Sequence, residues 1–326
     1  NGMIDTSAGF NSHKEDTNGG SAESGLWFGE IDAIDDEKGA LLYDCYYLNE
    51  LRGESNEGLK LAKDVEFRIY KDNMTVNLGT VTDDVVSIGT TAKDSDTENH
   101  ISLADNRVTI IDTVKYKSFT PGKAYRLVGT LMDKETGEPV MVSGKPVTSE
   151  KEFTPRDEDG TVDVTFTFDG SSLSGTDVVV FEKAYDIETD TEITKHEDIN
   201  DEGQTVSIPK IGTKAAAADG KTNVIKPEKD QRIVDTVAYE KLIAGEEYEL
   251  TTWLTKDGKK IWGTEVTKKF TAKEADGEVT AELTFDASRH GGEDITVFEE
   301  VSLDHKLVAE HKDKDDKDQT VTVSKP

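Results

Sequence analysis

Cysteine is almost missing from this chain: Cys45 is the only one in 326 residues. No disulfide can form within it, and any covalent brace must use other chemistry. No apolar run reaches the length of a membrane-spanning helix and no signal peptide or sortase-type motif is present, while the opening NGMIDTSAGF reads as the interior of a longer chain. Basic side chains are few, 38 against 68 acidic ones, for a formal net charge of −30. Such a surface repels phosphate backbones and anionic lipid, which excludes nucleic acid and membrane as partners. A Gly-rich phosphate loop, a metal-ligand cluster and a Gly-x-Ser-x-Gly elbow are also missing, so neither a turnover enzyme, a cofactor nor a metal is expected.

What is present is enough apolar residue, 34%, to bury cores, over a length that suits several domains of roughly 100 residues each. The acidity is spread along the chain rather than gathered in a tail, which favours solubility and an extended, monomeric array. Self-comparison then shows a repeat. IGTTA from Ile88 returns as IGTKA from Ile211, IIDTVKY as IVDTVAY, VVVFEK as ITVFEE, and KHEDINDEGQTV as EHKDKDDKDQTV.

Within each copy, alternating runs such as VDVTFTF from Val162 and EVTAELTF from Glu278 are bounded by Gly, Asp, Asn and Ser. They read as half-buried antiparallel strands. Helical periodicity is almost absent. About seven short strands per copy predict an all-β fold of tandem immunoglobulin-like β-sandwiches, with a one-sheet barrel as the alternative. The domains expected are 1–84, 85–209 and 210–326.

Five residue types recur at matching places: Thr90 and Thr213, Asp112 and Asp235, Glu182 and Glu299, His196 and His311, Gln204 and Gln319. Threonine to aspartate is 22 residues in both copies and histidine to glutamine is 8 in both, while the middle spacings differ. First and last strands of a sandwich can lie side by side, so the hydroxyl and the carboxamide can meet and an ester between them would close the domain. A hydroxyl is a poor nucleophile and an amide a poor electrophile; the reaction needs a base, a polarised carbonyl and a proton for departing ammonia. A histidine beside two carboxyls supplies those roles, and burial would keep one carboxyl protonated at neutral pH.

At these residues the chain resembles the VaFE-repeat, or T-Q Ig-like, family of Gram-positive surface adhesins. The likeness rests on IGTxA, DTVxY, the strands ending VVFE at Glu182 and TVFE at Glu299, and HxDxxDxxQT, in that order twice over Ile88 to Pro326. It implies autocatalytic Thr90–Gln204 and Thr213–Gln319 esters assisted by the Asp, Glu and His of each set. Alignment selects Thr90 over Thr91, and neighbours on a strand face opposite sides. The second copy departs from the first in two places: WLTKDGK stands where the first has LMDKETG, and Ala244–Gly245 where it has Pro121–Gly122. Upstream, GALLYDCYYLNELRGESNEG resembles the later part of a SpaA-like, collagen-adhesin B-type domain.

Other readings compete locally. HEDINDE and HKDKDDKD offer oxygen ligands of the kind calcium takes, but lysines interrupt the second run and EF-hand spacing is lacking. Cys45, inside YDCYYL, reads as a buried thiol rather than half of a thioester. Glu50 stands where a SpaA-like domain places the acid of a Lys–Asn isopeptide bond, a bond not expected here. The function expected is a stalk of an extracellular, cell-wall-anchored adhesin, contacting mainly its own adjacent domains. The alternative is a module that binds a host protein or glycan.

Overall fold

A computed structural model describes residues 45–50, 59–68, 70 and 84–325. Contacts divide the chain into two compact units, Asn1–Ser87 with Ser118–Thr120, and Ile88–Lys117 with Pro121–Pro326. In the first unit, strands β1 (Cys45–Leu48) and β2 (Val65–Arg68) pair antiparallel, and Tyr46 stacks on Phe67 with centroids 5.6 Å apart. Strand alternation half-buries Tyr46 and Leu48 and turns Cys45 outward, so the thiol expected to be buried is exposed. Glu50 accepts the backbone N–H of Ala62 at 2.7 Å. The polar opening and most of the SpaA-like motif lie outside the described residues.

The second unit holds the two repeats. In the first, β3 (Ser87–Asp94), β4 (Val108–Lys117) and β9 (Gly160–Phe168) form a three-stranded sheet. The opposing sheet contains β5 (Tyr125–Asp133), β8 (Thr148–Phe153), β10 (Thr176–Asp186), β11 (Thr191–His196) and β12 (Thr205–Ile208), with a small hairpin of β6 (Met141–Val142) and β7 (Lys145–Pro146) beside it. The second repeat repeats the plan. Strands β13 (Lys210–Ala217), β15 (Gln231–Glu240) and β19 (Gly277–Phe285) make one sheet. The other contains β14 (Val224–Ile225), β16 (Glu247–Lys256), β17 (Lys259–Lys260), β18 (Val266–Thr271), β20 (Asp294–Leu303), β21 (Lys306–His311) and β22 (Thr320–Val323). The sheets of each repeat remain separate ladders, so these are sandwiches and not barrels.

Alternation builds the core. Along β9 the inward set is Val164, Phe166 and Phe168, while Asp163, Thr165 and Thr167 face water. One expectation needs correction: first and last strands are not side by side. Strand β3 pairs in the three-stranded sheet, whereas β12 pairs with β10 in the opposite one. The ends approach across the sandwich, and in the second repeat a 2.8 Å bond from the Ala215 N–H to the Asp318 carbonyl ties β13 to the loop before β22.

Strands β11 and β12 lie end to end along a single edge of β10, opposite Glu182–Asp186 and Thr176–Val179 respectively. The chain leaves the ladder after His196 and rejoins it at Thr205, so residues 197–204 form an excursion halfway along that edge. Strands β21 and β22 repeat this beside β20.

Only Pro209 separates β12 from β13. At this junction Ile101 of the first repeat is fully buried in a cluster that includes Ile211, Leu242, Tyr248 and Val308 of the second. Lys241 and Asp177 pair across the same junction at 3.0 Å.

Candidate functional site

A polar layer crosses the middle of each sandwich. On the second repeat's strands the inward positions run Ile211, Thr213, Ala215; Ile233, Asp235, Val237; Leu250, Thr252, Leu254; and Val297, Glu299, Val301. Ile211, Val237, Leu250 and Val301 belong to one apolar cluster, and Ala215, Ile233, Leu254 and Val297 to another. The residues between them are the polar set, completed by Gln319 just before β22. In the first repeat Thr90 stands between Ile88 and Ala92, Asp112 between Ile110 and Val114, and Glu182 between Val180 and Ala184. Asp112, Glu182, Gln204, Asp235, Glu299 and Gln319 are all 0% exposed.

Such groups are normally paired, because an unmet buried polar atom is destabilising by about 1–3 kcal/mol. Here they are not. Among the described residues twelve buried side-chain nitrogen or oxygen atoms lack a hydrogen-bond partner, and all but His100 Nδ1 and Arg126 Nε belong to these two layers. They include both oxygens of Glu182 and the amide oxygens of Gln204 and Gln319.

The sequence-derived sets converge. The Gln204 amide nitrogen donates to the Thr90 hydroxyl, and that of Gln319 donates to Glu299 Oε2 at 2.5 Å. Glu182 faces His196 directly across the ladder, and Glu299 faces His311. Thr91 is exposed, as alternation requires, which leaves Thr90 as the inward hydroxyl.

Burial raises Asp112 from 3.8 to about 7, partly offset by the Thr90 hydroxyl and the charge of His196. Glu182 is raised further, to about 9, by burial and then by the neighbouring Asp112 charge. Two carboxyls this close in an apolar layer cannot both ionise near neutrality, so Asp112 ionises first and Glu182 keeps its proton. Asp235 and Glu299 are both raised, again by burial first, with the Asp235 charge adding to the effect on Glu299.

The excursion that carries the glutamine is shaped by aspartates. Asp201 Oδ2 pairs with His196 Nε2 at 2.8 Å while Oδ1 accepts the Gly203 N–H at 2.7 Å, capping the 3₁₀ turn Glu202–Gln204. Partial burial pushes Asp201 up, but the His196 ring and the Gly203 N–H hold it below its usual range. In the second repeat Asp316 pairs with His311 at 3.3 Å and accepts the Asp318 N–H at 2.8 Å. One carboxylate thus fixes both the imidazole and the turn that presents the amide. Asp198 and Asp313 make similar turns, accepting the N–H of Asn200 and of Asp315. Among the described residues no group of His, Cys, Asp and Glu is arranged to hold a metal ion.

The family model of the T-Q ester bond containing domain matches the chain twice, over residues 86–208 and 209–323. The chain belongs to this family. No curated protein matches it. Among solved structures it is similar to a bacterial adhesin from Mobiluncus mulieris containing intramolecular disulfide, isopeptide and ester bond cross-links. Two crystal forms of that adhesin are 16% and 18% identical, with TM-scores of 0.30 and 0.29, over 66% of this chain and 80% of that one. A putative β-galactosidase from Bacteroides fragilis is similar at 10% identity and TM-score 0.26, over 67% of this chain and 34% of that one. Likenesses this distant carry no functional assignment.

Within the two T-Q repeats, the structure places three further residues at the site. Asp201 and Asp316 stand in the HxDxxDxxQT motif, five residues after the histidine, where a turn returns them to the ring. Thr252 does not recur, because the first T-Q repeat has Gly129 in its place.

Proposed function

We propose that each T-Q repeat closes itself by an ester, Thr90 to Gln204 and Thr213 to Gln319, and that the closed repeats form a stalk of an extracellular surface adhesin. The contact of Thr90 with Gln204, inside a layer of unpartnered buried carboxyls, carries this reading. The Thr90 oxygen attacks Cδ of Gln204 and its proton passes to Asp112, whose affinity near neutrality suits a base. Glu182, still protonated, donates to the developing oxyanion. The Oγ–Cδ bond forms, the Cδ–N bond breaks, and the nitrogen leaves with a third proton as ammonia; no oxidant, reductant or cofactor is consumed. His196, half-buried and held by Asp201, relays protons between the layer and water. In the second repeat the leaving nitrogen of Gln319 already rests against Glu299.

The chemistry happens once per repeat, so its product is a structure. A chain with one exposed thiol and no disulfide is braced this way without dependence on redox conditions. Intact mass decides: the folded chain should fall short of its sequence mass by two ammonia molecules, with peptide mapping recovering both Thr–Gln pairs. Full sequence mass in a folded, aged sample would overturn the proposal.

The second reading, a module that contacts a host protein or glycan, draws on Trp262, 90% exposed in the loop after β17. Saturable capture on a glycan array, lost in Trp262→Ala, would support it.

A further inference from the structure

The two polar layers differ at one inward position. Across the ladder from Glu182 stands Gly129, and across from Glu299 stands Thr252. A Cβ at Gly129 would collide with Glu182 Oε1 and with Phe166 Cζ. Phe166 pairs with Ile110, and its counterpart Leu283 pairs with Ile233; each isoleucine precedes its site aspartate by two residues. The phenyl ring therefore fills in one repeat the space that a shorter leucine and a threonine share in the other. The exchange puts a hydroxyl into the layer of the second repeat where the first has none. The Thr252 hydroxyl, fully buried, lies 3.4 Å from Asp235 Oδ2 as a donor. Asp112 has no donor from the facing strand, where glycine stands; its hydrogen bonds come from Thr90 and Thr91.

We propose that Thr252 is a positioning residue of the second repeat, orienting Asp235 by a hydrogen bond so that this carboxyl receives the Thr213 proton and Glu299 keeps its own. A donor on one oxygen favours the ionised form of that carboxyl and fixes its plane. The contact with Glu299 works the same way, favouring the ionised form of Asp235 while Glu299 holds the shared proton. In the first repeat the hydrogen bonds to Asp112 come from Thr90 and Thr91, on the strand that carries the nucleophile itself, with the His196 charge adding to them. The two repeats thus reach one product with differently supported bases. The inference rests on the ester reading, and the first repeat serves as its internal control.

The test uses the full chain, recovered uncross-linked from denaturant, refolded and sampled over time by intact mass and peptide mapping. In Thr252→Val, which keeps the volume and removes the hydroxyl, the Thr213–Gln319 ester should appear about tenfold more slowly, the loss expected of one hydrogen bond to a charged group. Thr252→Ser should restore the rate, and the Thr90–Gln204 ester should form at one pace in all three chains. Equal rates for parent and valine variant overturn the proposal. So does equal slowing by valine and serine, which would mark a packing role, and so does Gln319 recovered on Thr252, which would make that residue the nucleophile. If no ester forms in either repeat of the parent, the reading beneath it fails as well. Melting of each refolded variant keeps a folding defect apart from a slowed reaction.

Discussion

The amide nitrogen of Gln204 donates a hydrogen bond to the hydroxyl of Thr90, although 114 residues separate them along the chain. The two reach each other from opposite sheets, so a bond between them would clamp one face of the sandwich to the other.

Replacing Thr90 with alanine should restore one ammonia to the mass and leave the Thr213–Gln319 bond intact, because each repeat carries its own complete set. Mapping both glutamines in that variant checks this. Loss of both bonds would mean that the repeats do not react independently.

In Gln319→Ala the second repeat should still fold, since its strands are unchanged. Closing a loop of about 100 residues restricts the unfolded chain by on the order of 4–5 kcal/mol in the chain-entropy account. A deficit of that size is a large part of a small domain's stability. The variant should melt well below the parent and be cut faster by protease while the first repeat keeps its transition; equal melting would argue that no cross-link closes the parent.

Before or without cross-linking, the buried carboxyls should give an unusual pH dependence. Asp112 titrates near 7 and Glu182 near 9 in the folded chain, against ordinary values close to 4 when unfolded. Between those limits the folded state binds more protons, so stability falls as pH rises from about 5 to about 9. A Thr90→Ala, Thr213→Ala chain should melt higher at the acidic end of that window. Glu182→Gln in the same background should flatten the slope, and a slope indifferent to that change would contradict the assignment.

At the junction, Ile101→Ala should lower the melting of the second repeat, though residue 101 belongs to the first. Removing a fully buried isoleucine from a packed cluster is destabilising by about 2–5 kcal/mol. Val224, 51% exposed, is the control, and its change to alanine should have little effect. Calorimetry resolving both repeats would expose the opposite pattern.

Much of this was legible in the residues. Period-two alternation in VDVTFTF marks β9, equal spacings in the two copies mark Thr90 with Asp112 and His196 with Gln204, and the recurring VFE strand marks Glu182. Spacing could not show that β3 and β12 lie in opposite sheets, because pairing depends on contacts far apart in sequence. Thr252 was hidden by method, since a residue matched to glycine in the other copy does not recur. The burial of Ile101 was invisible for another reason: its cover comes from a neighbouring domain. Cys45 was misread because a strand's inward phase is set by its partner, and YDCYYL alone does not reveal it.

The single-residue link at Pro209 has a topological consequence once both esters exist. Every peptide bond from Thr90 to Gln204, and from Thr213 to Gln319, then lies in a closed ring with a second covalent route around it. One nick in either ring opens a circle without parting the molecule. Between the two rings only residues 205–212 are single-track, and all but Pro209 of these lie in the hydrogen-bonded strands β12 and β13. The stretch with no bypass is held where a protease, which needs an extended and mobile substrate, finds least to grip.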